Sequence, residues 1–370
     1  MKIILSIAGI IGTFLTMPAF DSRAIEPDGP IARNELSMEA LSLLQRREFK
    51  SLEDTIKRFQ ERKERFPDGA WKLHFFLDGF SPKFQNDKAW SDHIKLIEEW
   101  QGQFPNSPSA KIANSDAWLG YAWFARGTDY KIKPGGEKPF YERLSRAAKI
   151  FNDPVIDHRS PHAGYMKLRL AVPLGFPRDQ FERLFKAVTY LEPRYHGHYA
   201  AGVFYYTERW HGNPGEWIKK LEEYEKYAPK GEGIYARIVF GFYGQEWKNF
   251  NEGTVSWPKL KQSLAELPDG SPWVANTRAF FACLAKDKAM SRPLLEKIGD
   301  APYYAAWNRN GFSEFNACRS LNGLPEMTNY TDSIEYRYLK TFSENGNEWA
   351  RNKLEANIRV GMSGYPQMRR

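Results

Sequence analysis

The sequence has 370 residues, of which 42% are apolar, 26% charged and 15% aromatic, with a formal net charge of +8; this composition supports a large buried core and excludes an intrinsically disordered chain. Its positive residues alternate with Glu and Asp along helix-like stretches such as residues 57–65, the pattern of a solvated helix face and not of a nucleic-acid patch. Two cysteines, Cys283 and Cys318, are too few for a small disulfide-stapled scaffold.

At the N-terminus, Met1 and Lys2 precede an apolar run over residues 3–17, then Pro18 and the small-residue site Ser22-Arg23-Ala24. These are the parts of a secretory signal, with cleavage expected after Ala24. The run is shorter than the roughly 20 apolar residues of a membrane-spanning helix. No later segment is apolar enough to span, and no cysteine stands near the cleavage site to take a lipid. The expected division is a signal at 1–24, a helical-repeat domain at 25–330, and capping helices with a tail at 331–370. The expected location is the periplasm or the cell exterior, with low cysteine content favouring the periplasm.

Beyond the signal, one order of elements recurs: a charged amphipathic helix, a proline, then a helix rich in aromatic and small residues. The prolines are Pro67, Pro105, Pro154, Pro193, Pro229, Pro268 and Pro302, at intervals of 34 to 49 residues. Proline can open a helix but not continue one, so each separates two helices. In the charged helix around residues 181–188, Phe181, Leu184, Phe185 and Val188 follow the i, i+3, i+4, i+7 spacing of one buried face. The aromatic helices carry Trp71, Trp118 and Trp123, Tyr199 and Tyr205, Tyr235 and Phe240, Trp273 and Phe281, and Tyr303 and Trp307. A helix pair of this kind buries its apolar face only by stacking on neighbours, which predicts an all-α, tetratricopeptide-like solenoid of stacked helix pairs. Lys131-Ile132-Lys133-Pro134-Gly135-Gly136-Glu137-Lys138-Pro139 reads as an exposed loop. Residues 334–342 and 349–360 read as terminal helices, and residues 361–370 as a mobile tail.

Two resemblances fit this periodicity. Ala117-Trp118-Leu119-Gly120-Tyr121 is similar to a compressed tetratricopeptide opening, and residues 187–195, ending Leu191-Glu192-Pro193-Arg194-Tyr195, resemble a repeat ending. Phe66-Pro67-Asp68-Gly69-Ala70-Trp71-Lys72-Leu73, Ala122-Trp123-Phe124-Ala125-Arg126-Gly127 and Arg209-Trp210-His211-Gly212 resemble a bacterial family known as a domain of unknown function, numbered forty thirty-four. The likeness extends over roughly residues 40–320. It implies a helical fold and supplies no activity.

No Gly-x-Ser-x-Gly elbow, His-Glu-x-x-His helix, phosphate-binding loop or catalytic-cysteine signature occurs, so no catalytic residue and no cofactor is expected. Gly361-Met362-Ser363-Gly364 is a near miss without the strand-turn-helix setting an elbow needs. The densest polar-aromatic segment runs from Tyr195 to Trp217. A metal set of His196, His198 and His211 with Glu208 is disfavoured because no histidine pair has i, i+4 spacing. A binding surface is drawn instead from Trp123, Arg126, Tyr195, His196, Tyr205, Arg209, Trp210 and His211, the aromatic and arginine types that anchor interfaces. The same aromatics also serve to fill space between stacked helices. Cys283 and Cys318 occupy matching positions in consecutive units, which predicts a disulfide in an oxidising compartment.

The sequence therefore suggests a non-enzymatic exported repeat protein that binds a protein or peptide partner in the cell envelope, with an immunity-type inhibitor of a toxin as the sharper form. No nucleic-acid partner is expected. The alternative is a small-ligand or glycan receptor, which requires an aromatic pocket in place of an open groove.

Overall fold

A computed structural model describes residues 26–251, 254–307 and 311–363. The expected signal at 1–24 and the end of the expected tail lie outside them. The described residues form seventeen α-helices, with no strand beyond a single antiparallel bridge between Arg65 and Trp71. They are α1 (Gly29–Gln45), α2 (Phe49–Arg62), α3 (Lys72–Asp78), α4 (Asp87–Gln103), α5 (Pro108–Arg126), α6 (Glu137–Phe151), α7 (Pro161–Ala171), α8 (Arg178–Leu191) and α9 (His196–Tyr205). They continue as α10 (Glu216–Tyr224), α11 (Ile234–Asn251), α12 (Trp257–Ala265), α13 (Pro272–Leu284), α14 (Lys288–Ile298), α15 (Gly311–Leu321), α16 (Ile334–Glu344) and α17 (Glu348–Ser363).

Each of the seven repeat prolines falls between an even-numbered helix and the odd-numbered helix that follows it, from Pro67 between α2 and α3 to Pro302 between α14 and α15. Three odd helices start on a Ser-Pro pair: Ser107, Ser160 and Ser271 each accept a backbone N–H of the first turn, while Pro108, Pro161 and Pro272 occupy the first helical position. That position has no intrahelical acceptor for an N–H, so proline loses nothing there. Helix α17 reaches Ser363, so the first residues of the expected tail, including the serine of the near-miss elbow, are helical.

The two helices of a pair differ in what they bury. Even-numbered helices hide one face: α8 buries Phe181, Phe185, Val188 and Thr189 and leaves its other sides to water. Burial of each large apolar side chain contributes roughly 1.5–3 kcal/mol. The odd-numbered helices α5, α7, α9 and α13 are buried nearly all round, as α5 is over Ser109, Ala110, Ile112, Ala113, Asn114, Ser115, Asp116 and Ala117. They form an inner row in which α5 contacts α7, α7 contacts α9, and α9 contacts α11, with the even-numbered helices outside.

The repeat did not reveal what closes this row. Helix α1, outside the pairing, packs on α3 and α4 at one end of the array and on α16 at the other. Gly29 opens it at φ +67°, where a Cβ would lie 2.8 Å from the Trp273 ring, so only glycine fits. The Tyr303 hydroxyl donates to the Asp28 carbonyl at 2.8 Å, and Ser271 Oγ donates to the Asp28 carboxyl. Arg33 Nη2 pairs with Asp68 at 2.6 Å while its guanidinium lies 4.7 Å from the centre of the Trp273 ring. Asp68 also accepts the N–H groups of Gly29 and Ala70. Burial alone would raise the Asp68 carboxyl; Arg33, Arg237 and the Ala70 N–H bring it below the usual range. The loop before α3 completes the seal, with Arg65 pairing to Glu232 at 2.9 Å and Trp71 Nε1 donating to the Arg194 carbonyl at 3.0 Å.

The predicted disulfide is present between α13 and α15, with Cα atoms of Cys283 and Cys318 5.8 Å apart. It closes a loop of sequence separation 35, for which chain entropy gives roughly 3–4 kcal/mol. Reduction should move the urea midpoint down accordingly; an unchanged midpoint would show that the bond does not hold the C-terminal pairs. Asp28 gives a second prediction. Burial pushes its carboxyl up from 3.8 to about 7, with Asp68 adding to the rise and Ser271 and Arg33 opposing it. A raised folded-state value means that its stabilising contribution is complete below the unfolded value and lost as pH rises through the folded one. Asp28→Asn, which cannot ionise and keeps an acceptor for Ser271, should exceed the parent stability at pH 8 by on the order of 4 kcal/mol in thermal unfolding, with the margin shrinking as pH falls through 7 and vanishing only below the unfolded value of 3.8.

Candidate binding cavity

The inner helices all follow their outer partners, so their C-terminal ends gather at one end of the array. There the structure leaves a cavity of about 760 Å³, within the roughly 300–1,000 Å³ of small-molecule sites. Trp123 and Phe124 of α5, Phe204 of α9, Trp210 from the following turn, and Phe84 and Trp90 from the α3–α4 region form its aromatic walls. Gly120 makes this wall possible. A Cβ there would meet Ser81 Oγ at 2.5 Å and the Trp90 ring at 2.7 Å, so the segment after α3 could not close on α5. Trp123 and Trp210 meet edge to face with centroids 5.2 Å apart, an arrangement that aromatic quadrupoles favour.

Three charged residues line the cavity, Lys83, Arg169 and Arg209, and all are cationic. Arg209 Nη2 donates to the carbonyls of Gly127 and Asp129, at 3.3 and 3.0 Å. The Nε–H of Arg209 and the indole N–H groups of Trp90 and Trp210 have no acceptor among the described residues. Arg169 Nη1 donates to Asp116 Oδ1 at 2.6 Å, and its remaining nitrogens make no hydrogen bond among the described residues.

Behind Arg169 lies a buried polar floor. Asp116 is almost fully enclosed and its Oδ2 has no partner. Asp78 exposes 39% of its side chain, and its Oδ2 is 3.8 Å from His74 Nε2. Burial raises Asp78 to about 6 against the pull of Arg169, and burial likewise raises Asp116. The Tyr195 hydroxyl sits between His74 Nδ1 at 3.2 Å and His162 Nδ1 at 3.0 Å. Burial, reinforced by Arg169, lowers His74 to about 3, and burial holds His162 and His196 well below the ordinary histidine value, so all three are neutral at pH 7. Burial also opposes the Arg169 charge, but Asp116, Tyr165 and Asp78 more than restore it.

The eight candidate residues separate in the fold. Trp123, Arg209 and Trp210 line the cavity. Arg126 stands directly behind them, donating to the Asp129 and Tyr130 carbonyls and lying 4.8 Å from the centre of the Trp210 ring. Tyr195 is fully buried in the histidine network, with His196 beside it 5.7 Å from His74. Tyr205 is a core residue stacked on Phe181 at 4.0 Å with its hydroxyl donating to the Phe176 carbonyl. His211 stacks on Tyr205, its Nε2 3.0 Å from the Val172 carbonyl. The alternative metal set is not assembled: His198 Nε2 engages the Pro161 carbonyl at 2.7 Å, and no cluster of three or more potential ligands occurs among the described residues.

Sequence reading passed over Asp78, Asp116, Tyr165 and Arg169. A signal was present, since Asp116 follows Ala113-Asn114-Ser115 in a helix otherwise rich in small and apolar residues and Arg169 stands between Leu168 and Leu170. A charge in a helix with no exposed side must pair or line a cavity. No family model, curated protein or solved structure matches the chain.

Arg169→Met alone would leave Asp116 buried without its partner and should cost roughly 3–5 kcal/mol in chemical denaturation. Combining it with Asp116→Leu should recover most of that loss. If the double variant is as unstable as the single one, the ion pair is not what fixes this floor.

Proposed function

We propose that the protein is an exported receptor for a small ligand of the saccharide class, held in the aromatic cavity at the C-terminal ends of the inner helices. The carrying observation is the cavity itself: a half-open space of small-molecule size walled by Trp123, Phe124, Phe204 and Trp210, with Gln85 and Arg169 as polar groups on its lining. Sugar rings present flat C–H faces that stack on such walls and hydroxyls that bond to polar side chains such as Gln85 and Arg169 on the lining. Export rests on the N-terminal signal pattern and agrees with the disulfide. No helix of the described residues is long and apolar enough to cross a membrane.

Capture of a protein or peptide, including neutralisation of a toxin, draws less support. A solenoid captures such partners along an open concave face, and here the inner row packs against itself, α1 and the loop before α3.

The test is titration of the purified protein with neutral and acidic oligosaccharides and peptidoglycan fragments, read by tryptophan fluorescence and calorimetry. A member of this panel should perturb the emission, and Trp123→Ala should weaken its binding roughly ten-fold or more. No response to any member, together with a stoichiometric envelope protein that co-purifies, would replace this reading with the scaffold one.

A further inference from the structure

The charge of the cavity goes further than its shape and rests on the receptor reading above. Every charged side chain on its lining is cationic, and Arg169, at the floor, spends one nitrogen on Asp116 and leaves the rest of its fork unpaired among the described residues. Its buried partner has an oxygen without a donor, so the pair is held in place without being mutually saturated. A planar guanidinium with free N–H groups on the wall of a half-open cavity matches the two oxygens of a carboxylate, and charge-assisted bonds of that kind are the strongest a site of this size offers. Lys83 and Arg209 add positive potential nearer the surrounding loops.

We infer that the ligand is an acidic sugar whose carboxylate is bound by Arg169 while its ring stacks between the aromatic walls.

The groups around the floor give this inference a pH dependence. Asp78 is faced by His74 of its own helix α3, Asp116 of α5, Tyr165 and Arg169 of α7, and Tyr195 of α9. His74 is neutral throughout the range from pH 7.5 to 5.5, and Tyr165 and Tyr195 keep their protons because burial raises them. Asp78, pushed up to about 6 by burial, changes charge in that window. Ionised, it competes with an anion for Arg169; protonated, it does not. A sugar carboxylate stays ionised throughout, so its affinity rises on acidification.

The experiment compares cellobiose with its glucuronic-acid counterpart, cellobiouronic acid, by calorimetry at pH 7.5 and 5.5 with the full purified protein. The acidic sugar should bind about ten-fold tighter or more than the neutral one, with the margin widening at pH 5.5. The double variant Arg169→Gln with Asp116→Asn removes both members of the buried ion pair, and circular dichroism checks that it folds. It should bind both sugars alike. Equal affinity of the parent for the two sugars, or an acid preference that survives in the double variant, overturns the inference and leaves the receptor reading standing. Failure of both sugars to bind, while another neutral saccharide of the panel does, also overturns it; failure of all saccharides removes the receptor reading itself.

Discussion

The structure depends on one constraint: a row of helices that is apolar on nearly every side has to be covered on every side. Helix α5 buries consecutive residues from Ser109 to Ala110 and from Ile112 to Ala117, and α7, α9 and α13 do much the same. A one-faced amphipathic partner covers only half of such a helix. The rest is covered by the next inner helix and, where the row ends, by α1. The even-numbered helices then need only a single apolar stripe, which is why they carry the charge.

Closing the row in this way concentrates polar groups at its two ends, where helix termini and loops meet, and the ends are treated differently. At the N-terminal end of the inner helices, Asp28, Arg33, Asp68, Arg65, Arg237 and Glu232 form a packed set of opposite charges. Most of their capacity is used within the protein, with Asp28 Oδ1 and Arg33 Nε the exceptions, and burial pushes the Asp28 carboxyl up to about 7. At the other end the aromatic side chains stand apart and leave a cavity, and Arg169 on its lining spends only one nitrogen on Asp116. Buried polar groups are seldom left unpaired without a reason. A bound acceptor would supply one.

The floor of the cavity follows the same logic. Asp116 stands in the buried stretch of α5 and Arg169 between the buried Leu168 and Leu170 of α7, and a desolvated ion pair gives little net stability against an apolar replacement of the same volume. The neighbouring histidines are neutral, so they position Tyr195 without adding charge. Ionisable groups held at such cost, with one carboxyl moved to about 6, are typical of sites with a role beyond holding the fold. The cationic lining gives that role a sign.

Much of the architecture was legible in the chain before folding. Proline spacing placed every break between paired helices, one-faced periodicity marked α8 as an outer helix, and matched positions of Cys283 and Cys318 anticipated their bond. These features are local, set by the 3.6-residue turn and by proline's missing N–H, so linear order suffices to read them. The segments around Trp123 and Arg209-Trp210 were also legible as aromatic and basic, and they meet at the cavity. Tyr195, Tyr205 and His211 share that composition and serve the core, because which face of an inner helix looks into a cavity is set by neighbours far away in sequence. The same holds for Asp78, Asp116 and Arg169, which come from three different helices. Closure by α1 was invisible for a like reason: its contacts to Trp273, Tyr303 and Asn347 span most of the chain. Sequence alone determined the helices and their pairing; only the tertiary structure decided which charges share one cavity, because that depends on how far the row curls before its ends meet.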